Sequence, residues 1–242
     1  MRADEQPWLI PASSPGLAED EVHVWRVVLD LGAAELARLE ATLSPEEAAR
    51  AARLRFEPDR RGFLAAHGAL RDILARYLGA DPARLEFRRA AFGKPALAPA
   101  CGAAWLRFNL SHSHGLALCA VARHREVGVD VERIRALIDE RLIARRFFAP
   151  QEVAALESLP AEEQTTAFFR CWTRKEAYIK ARGEGLGIPL DSFTVSLGPE
   201  GSSAVAGWSL EALAPASGYA GAVTAEGRAW RLRLWDWQPG RD

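Results

Sequence analysis

The stretch Val127-Gly128-Val129-Asp130-Val131-Glu132 alternates valine with glycine or an acid, the pattern of a β-strand. Successive side chains of a strand point to opposite faces, so Asp130 and Glu132 project from one face and Val129 and Val131 from the other. Two neighbouring carboxylates repel and are costly to hold unless a cation lies between them. A hard, oxygen-seeking ion suits the pair, Mg²⁺ first and Mn²⁺ as the alternative, above all where phosphate oxygens complete its shell. Taken alone, an Asp-x-Glu pair is equally a strand end with two solvated acids.

Two strand-like runs precede this one in close order, Trp105 to Leu110 and Leu116 to Ala122. Further upstream, Glu21 to Asp30 has the β-branched content of a strand, and a helical pattern follows from about Ala33 to Leu43. Ser44-Pro45-Glu46-Glu47 supplies a capping serine, a proline at the first helical position and a glutamate three residues after the cap, which opens a second helix. From Pro58 or Asp59 to Leu78 the apolar residues fall at helical spacing, and Gly79 fits the stop. Leu85 to Arg89 alternates like a short strand, and Phe92-Gly93-Lys94-Pro95 is a loop. Downstream, two helices are expected between Leu137 and Leu159, and a long one from about Glu162 to Ala181, before the Gly183-Glu184-Gly185 breaker. Short strands complete the chain, ending in the tryptophan-rich Trp230 to Trp237. Both halves share an outline of helices with a few hairpin-linked strands, an α+β chain of two related lobes. No glycine-rich phosphate loop of the dinucleotide-binding or P-loop kind is present.

The 242 residues carry 31 basic and 32 acidic side chains, a formal net charge of -1. No overall positive field exists to hold a nucleic acid or an anionic membrane, so any anion site must be local. Cys101, Cys119 and Cys171 are odd in number and widely spaced, with no Cys-x-x-Cys pair. They read as thiols of a reducing compartment. The start, Met-Arg-Ala-Asp-Glu-Gln-Pro, lacks the apolar core of a signal peptide, and no run approaches the ~20 apolar residues of a membrane span. A cytoplasmic protein is expected.

Four more groups of residues bear on chemistry. In Cys171-Trp172-Thr173-Arg174-Lys175-Glu176-Ala177-Tyr178-Ile179-Lys180, Trp172, Glu176 and Lys180 are four apart and share a helix face. Glu176 followed by Lys180 is also the favoured order for a plain surface ion pair, but the bulky Trp172 argues that this face meets protein. A carboxylate there can supply a third metal ligand or a general base, with a lysine to neutralise phosphate charge. Phe108-Asn109-Leu110-Ser111-His112-Ser113-His114 puts serine and histidine at a strand end, where both can donate to phosphate oxygens. A Ser–His nucleophilic dyad is disfavoured, because adjacent strand residues face opposite ways and no nucleophile elbow is present. Gly93 permits close backbone approach and Lys94 offers a point charge. Arg50, Arg53, Arg55, Arg60 and Arg61 suit a phosphate monoester or simply a solvated face.

The order F-G-K-P, N-L-S-H-S, V-G-V-D-V-E, F-F-A-P-Q-E and W-T-R-K-E-A-Y-I-K resembles the 4′-phosphopantetheinyl transferase superfamily, in its double-length, surfactin-synthetase-activating form, from about Ser44 to Phe193. The resemblance implies a pseudo-dimer of two similar lobes, each with helices packed on a small, mostly antiparallel sheet, with the active site at the lobe interface. The division is expected near residue 115, residues 1–115 contacting coenzyme A and residues 116–242 carrying the metal site and catalytic helix. It further implies Asp130, Glu132 and Glu176 as metal ligands, Glu176 and Lys180 as the catalytic pair, and Lys175 near the pyrophosphate. Lys94, Ser111 and His112 match coenzyme A contacts, and Arg50 with Arg60 or Arg61 falls where relatives hold the adenosine phosphate. Glu47 stands where some relatives have lysine. The implied reaction moves the phosphopantetheine arm of coenzyme A onto a serine of an acyl or peptidyl carrier protein. A monomer is expected, docking its carrier through Arg133, Arg135, Arg141, Arg145, Arg146 and the apolar Phe147-Phe148. The alternative is a metal-dependent pyrophosphohydrolase acting on coenzyme A or a related nucleotide.

Overall fold

The computed structural model describes residues 7–89, 91–136, 139–199 and 202–240. The polar start (residues 1–6) and Leu137, where the first of two helices was expected to begin, lie outside the described residues. Among the described residues six α-helices and ten strands follow in an α+β order. The first sheet contains β1 (Glu21–Val28), β4 (Leu106–Ser113), β5 (Leu116–Arg123) and β10 (Arg231–Asp236), in the order β10-β1-β5-β4. The second contains β6 (Val127–Arg133), β7 (Ser202–Val205), β8 (Trp208–Leu213) and β9 (Tyr219–Glu226), in the order β6-β9-β8-β7. A short hairpin of β2 (Phe87–Arg89) and β3 (Pro95–Leu97) stands apart. All pairings within these sheets are antiparallel except β1 with β10.

Helices α1 (Ala33–Glu40), α2 (Pro45–Ala52) and α3 (Glu57–Leu78) precede β2, and α4 (Glu140–Phe147), α5 (Pro150–Ser158) and α6 (Ala161–Arg182) follow β6. The box at Ser44 forms as its sequence requires. Ser44 Oγ accepts the Glu47 N–H at 3.2 Å, and Glu47 Oε2 accepts the Ser44 N–H at 2.9 Å. The two long helices, α3 and α6, each run 22 residues and each end on a glycine in the left-handed region, Gly79 at φ +59° and Gly183 at φ +68°. No described helix is long and apolar enough to cross a membrane.

The faces of β5 set the layering. Ala117, Cys119 and Val121 join one core with Trp25, Leu70, Ile73 and Leu74, while Leu118, Ala120 and Ala122 join another with Val127, Val129, Val131 and Val223. The two sheets therefore stack through β5 and β6, with α3 on the outer side of the first and α6 on the outer side of the second. A third core gathers Phe168, Phe169, Tyr178 and Ile179 of α6 with Leu210 and Ala220 of the second sheet.

This arrangement departs from a division at residue 115. That residue lies in the tight turn between β4 and β5, and β5 pairs along its length with both β4 and β1. β10 returns from the far end of the chain to lie parallel to β1. Hairpin pairing and a long-range parallel strand bring them there, and neither is visible in local periodicity.

Gly128 explains how closely α6 lies on β6. A Cβ at this position would overlap the carbonyl oxygen of Ala177 and the backbone nitrogen of Ala181, and would sit 2.8 Å from Ala181 Cα. All three obstacles are helix backbone, which cannot swing aside as a side chain can. Gly128→Ala should destabilise the protein by about 3 kcal/mol, or roughly 6–12 °C in thermal midpoint. A melt within 2 °C of wild type, on the order of 1 kcal/mol or less, would show that α6 is free to lift.

Candidate active site

Where the two sheets meet, β4 and β6 run edge to edge and side chains of β4 take over the work of a backbone ladder. Every second residue of β4 is polar here: Asn109, Ser111 and Ser113, all buried. Asn109 Oδ1 accepts the N–H of Val129 at 2.9 Å. Ser111 Oγ donates to Asp130 Oδ1 at 2.8 Å. Ser113 Oγ donates to Glu132 Oε2 at 2.7 Å and accepts the N–H of Arg133 at 3.2 Å. These rungs fix β6 against the first sheet with its acids on the face that meets α6.

Helix α6 brings the third acid. Glu176 and Lys180 are one turn apart, and both line a cleft of about 330 Å³ that is also lined by Phe92, Gly93, Lys94, Asn109 and Leu110. Lys180 Nζ donates to Asp130 Oδ1 at 2.5 Å and to Ser111 Oγ at 3.0 Å. Burial pushes the Glu176 carboxyl above its ordinary range, and the charges of Asp130 and Glu132 push the same way, with Lys180 opposing. Glu132 is raised for the same reasons, burial first, against the hydrogen bond from Ser113. The three acids, distant in sequence, thus share one electrostatic neighbourhood.

The donors suit a hard divalent cation: all are carboxylate oxygens, and Asp130 Oδ2 is buried with no hydrogen-bond partner among the described residues. The side chains as they stand do not close into a shell. Among the described residues no three ligand-type side chains converge on one point, and the ammonium of Lys180 supplies the positive charge beside Asp130.

His112 lies on the other face of β4 from Ser111, so the two form no nucleophilic dyad. Desolvation holds its imidazole below the ordinary range, and the positive charges of His67, Lys180 and Arg50 add to this, although the residue as a whole is exposed. Arg50 therefore belongs to the same basic cluster, its guanidinium 5.3 Å from the Phe63 ring. Arg60 instead pairs with Glu57, and Arg61 donates to the Leu31 carbonyl at 2.8 Å. His67 is a member that the basic spacing did not reveal. It stacks on Phe63 at 3.9 Å and stands 3.6 Å from Glu47. Against burial, which acts the other way, hydrogen bonds from His67, Ser44 and Arg71 hold the Glu47 carboxyl at about 2. Glu47 is thus a structural acid tying α2 to α3.

These contacts bear on two of the expected residues. Lys175 does not reach the cleft: it is fully buried, and its Nζ donates to Glu152 Oε2, Leu190 O and Phe193 O, each at 2.7 Å. One residue of helix is about 100° of rotation, so if Glu176 faces β6 its neighbour faces the core. Lys94 lines the cleft, but its ammonium binds Glu126 at 2.8 Å and the carbonyls of Val127 and Ala181 at 3.0 Å, strapping the end of α6 to the start of β6. Desolvation lowers its pKa against the pull of Glu126.

Clustered carboxylates, a lysine and a cleft are the equipment of phosphoryl-group chemistry. A family model described as the 4′-phosphopantetheinyl transferase superfamily matches residues 126–229, and one for the N-terminal part of a 4′-phosphopantetheinyl transferase matches residues 32–124. The chain is 42% identical over 234 residues to the 4′-phosphopantetheinyl transferase HetI of Nostoc sp., covering 96% of this chain and 98% of that one. It is 31% identical over 186 residues to the 4′-phosphopantetheinyl transferase Sfp of Bacillus subtilis, covering 76% and 80%. The chain belongs to the 4′-phosphopantetheinyl transferase superfamily.

Two outcomes follow from the charges. Lys175→Met leaves Glu152 buried without its counter-ion and should cost about 3–5 kcal/mol in chemical denaturation, much of it recovered when Glu152→Gln is added. Full stability with lost turnover would instead return Lys175 to the substrate. Glu176 binds its proton more readily folded than unfolded, so its charge weakens the fold as pH rises through the carboxylate range. In the presence of a chelator, Glu176→Gln should therefore melt higher than wild type at neutral pH, with the gain vanishing at acid pH. A lower melt at neutral pH would contradict the repulsion among the three acids.

Proposed function

We infer that this chain transfers the 4′-phosphopantetheine arm of coenzyme A to a serine of an apo acyl or peptidyl carrier protein, releasing adenosine 3′,5′-bisphosphate. The observation that carries the reading is that Glu176 and Lys180, which line the cleft, lie within electrostatic reach of Asp130 and Glu132, with Lys180 bonded to Asp130, in a chain of this superfamily. Asp130, Glu132 and Glu176 would hold Mg²⁺ or Mn²⁺, and the bound cation would neutralise charge on the diphosphate. The carrier serine oxygen attacks the phosphorus nearer the pantetheine, and the bond from that phosphorus to the bridging oxygen breaks. Glu176 takes the serine proton, which its raised basicity favours. Lys180 faces the charge that gathers on the leaving phosphate. His112, Arg50 and His67 offer positive or proton-donating groups to the adenosine phosphate, Ser111 orients Asp130 and Lys180, and Lys94 holds the loop that walls the cleft.

The cleft lies between two related lobes in this reading. One spans residues 1–124 with the returning β10, and the other follows from residue 125. A single chain carrying both halves would act as a monomer, in the cytoplasm where coenzyme A and carrier domains meet. For the carrier, Phe148 is unsuitable as an apolar contact, because it is buried and stacked on Phe168 at 5.2 Å. Leu142 takes that part: it is 62% exposed on α4, between Arg141 and Arg145. An acidic carrier helix would meet it and the arginines Arg133, Arg135, Arg141, Arg145 and Arg146.

Incubation of apo carrier domains with coenzyme A and Mg²⁺ should add the phosphopantetheine mass to the carrier, and Glu176→Gln should abolish the gain. Release of adenosine bisphosphate without acceptor would mark a hydrolase, a reading that the relatives named above do not support. Reversing charge at Arg145 and Arg146 should raise the KM for carrier and leave coenzyme A affinity alone; an unchanged KM would remove α4 from the docking surface.

A further inference from the structure

The three polar rungs of β4 do different work. Asn109 bonds the backbone of β6, accepting the Val129 N–H. Ser111 is shared between Asp130 and Lys180, so either partner can hold the other in its absence. Ser113 grips both an acid side chain and the backbone beside it, through Glu132 Oε2 and the N–H of Arg133. By accepting the Arg133 N–H, its oxygen has one lone pair engaged, its own hydrogen is directed at Glu132, and His114 Nδ1 lies 3.2 Å from the same oxygen. At 8% exposure the residue has little water with which to exchange these partners.

Glu132 needs such a tether. Asp130 repels it from the same strand face, while Lys180 of α6 and, less strongly, Arg135, exposed beyond the end of β6, attract it from two sides. A glutamate has three side-chain torsions with which to follow both forces, whereas Asp130 is short and already held by Ser111 and Lys180.

We propose that Ser113 is a positioning residue of the transferase, holding Glu132 through one carboxylate oxygen so that the other is presented to the divalent cation. This rests on the reading of Asp130, Glu132 and Glu176 as the groups that hold that ion. Partners that orient a metal-binding carboxylate typically change metal affinity by 10–100-fold when removed.

The test is a titration with Mn²⁺, followed by electron paramagnetic resonance, with coenzyme A present and no carrier protein, so that binding is read without turnover. Ser113→Ala should bind Mn²⁺ about 10–100-fold more weakly than wild type, while Ser113→Thr, which keeps the hydroxyl, stays close to wild type. Metal-free coenzyme A affinity should be nearly unchanged in both, while Ser113→Ala, which leaves the Arg133 N–H without its acceptor, should melt a few degrees lower. Wild-type Mn²⁺ affinity in Ser113→Ala overturns the proposal. If Ser113→Ala does not fold, Ser113→Thr decides: affinity as weak as that of Glu132→Gln overturns it, and affinity near wild type supports it. Failure of the wild-type protein to take up Mn²⁺ would overturn the acid site itself, a result distinct from equal binding by wild type and Ser113→Ala.

Discussion

The close seating of α6 on β6 governs the rest of the molecule. At Gly128 the helix backbone comes nearer to the strand than any side chain would allow. Two and four residues along the same strand face stand Asp130 and Glu132, and on the helix stand Glu176 and Lys180. A glycine with no role in chemistry therefore sets the distance across which chemistry is done. The remaining architecture supports this contact from both sides: the Asn109, Ser111 and Ser113 rungs hold β6 from the first sheet, and the Lys94 strap holds the end of α6.

Holding three carboxylates together in a half-buried place works against folding, and the protein balances it locally. Lys180 lies against Asp130, and the serine hydroxyls occupy one oxygen each of Asp130 and Glu132. The compensation is incomplete, since Asp130 Oδ2 has no partner among the described residues and both glutamates remain harder to ionise than usual. Unbalanced charge in a cleft marks a site adapted to a ligand rather than to maximum stability. The buried pair of Glu152 and Lys175 shows the opposite solution, with the ion pair further satisfied by backbone N–H and carbonyl groups.

The helices and most strands were legible because their signals are local. The capping box at Ser44, the spacing of α3 and the alternation of β6 each act within a few residues, and each element forms within a few residues of its expected bounds. Glu176 and Lys180 were legible as a pair because their spacing of four fixes a shared helix face. Lys175 was misplaced because a motif lists neighbours without their directions, and consecutive helix residues diverge. The sheet membership of β5 and β10 was hidden, since strand partners are chosen by packing over long separations. Phe148 read as a docking residue only until its ring was seen stacked on Phe168. The Asn109-Ser111-Ser113 alternation was present in the sequence, but polar residues at every second position read equally as a solvated strand face, and only the bonds to β6 distinguish the two.

The parallel strand β10 has a bearing on how this chain is made. Leu9 and Leu234 are joined by a backbone hydrogen bond of 3.1 Å, and the carbonyl of Leu9 accepts the Asp236 N–H at 2.7 Å. The first sheet thus waits for residues 231–236 although its other three strands are complete by Arg123. During synthesis β1 would present an open edge for as long as more than a hundred residues take to emerge, roughly 5–20 s at ribosomal rates. Such an edge invites pairing with other nascent chains. The extended segment around Leu9, synthesised before everything it will touch, pairs with β10 rather than β1, so it caps the completed sheet only when the final strand arrives.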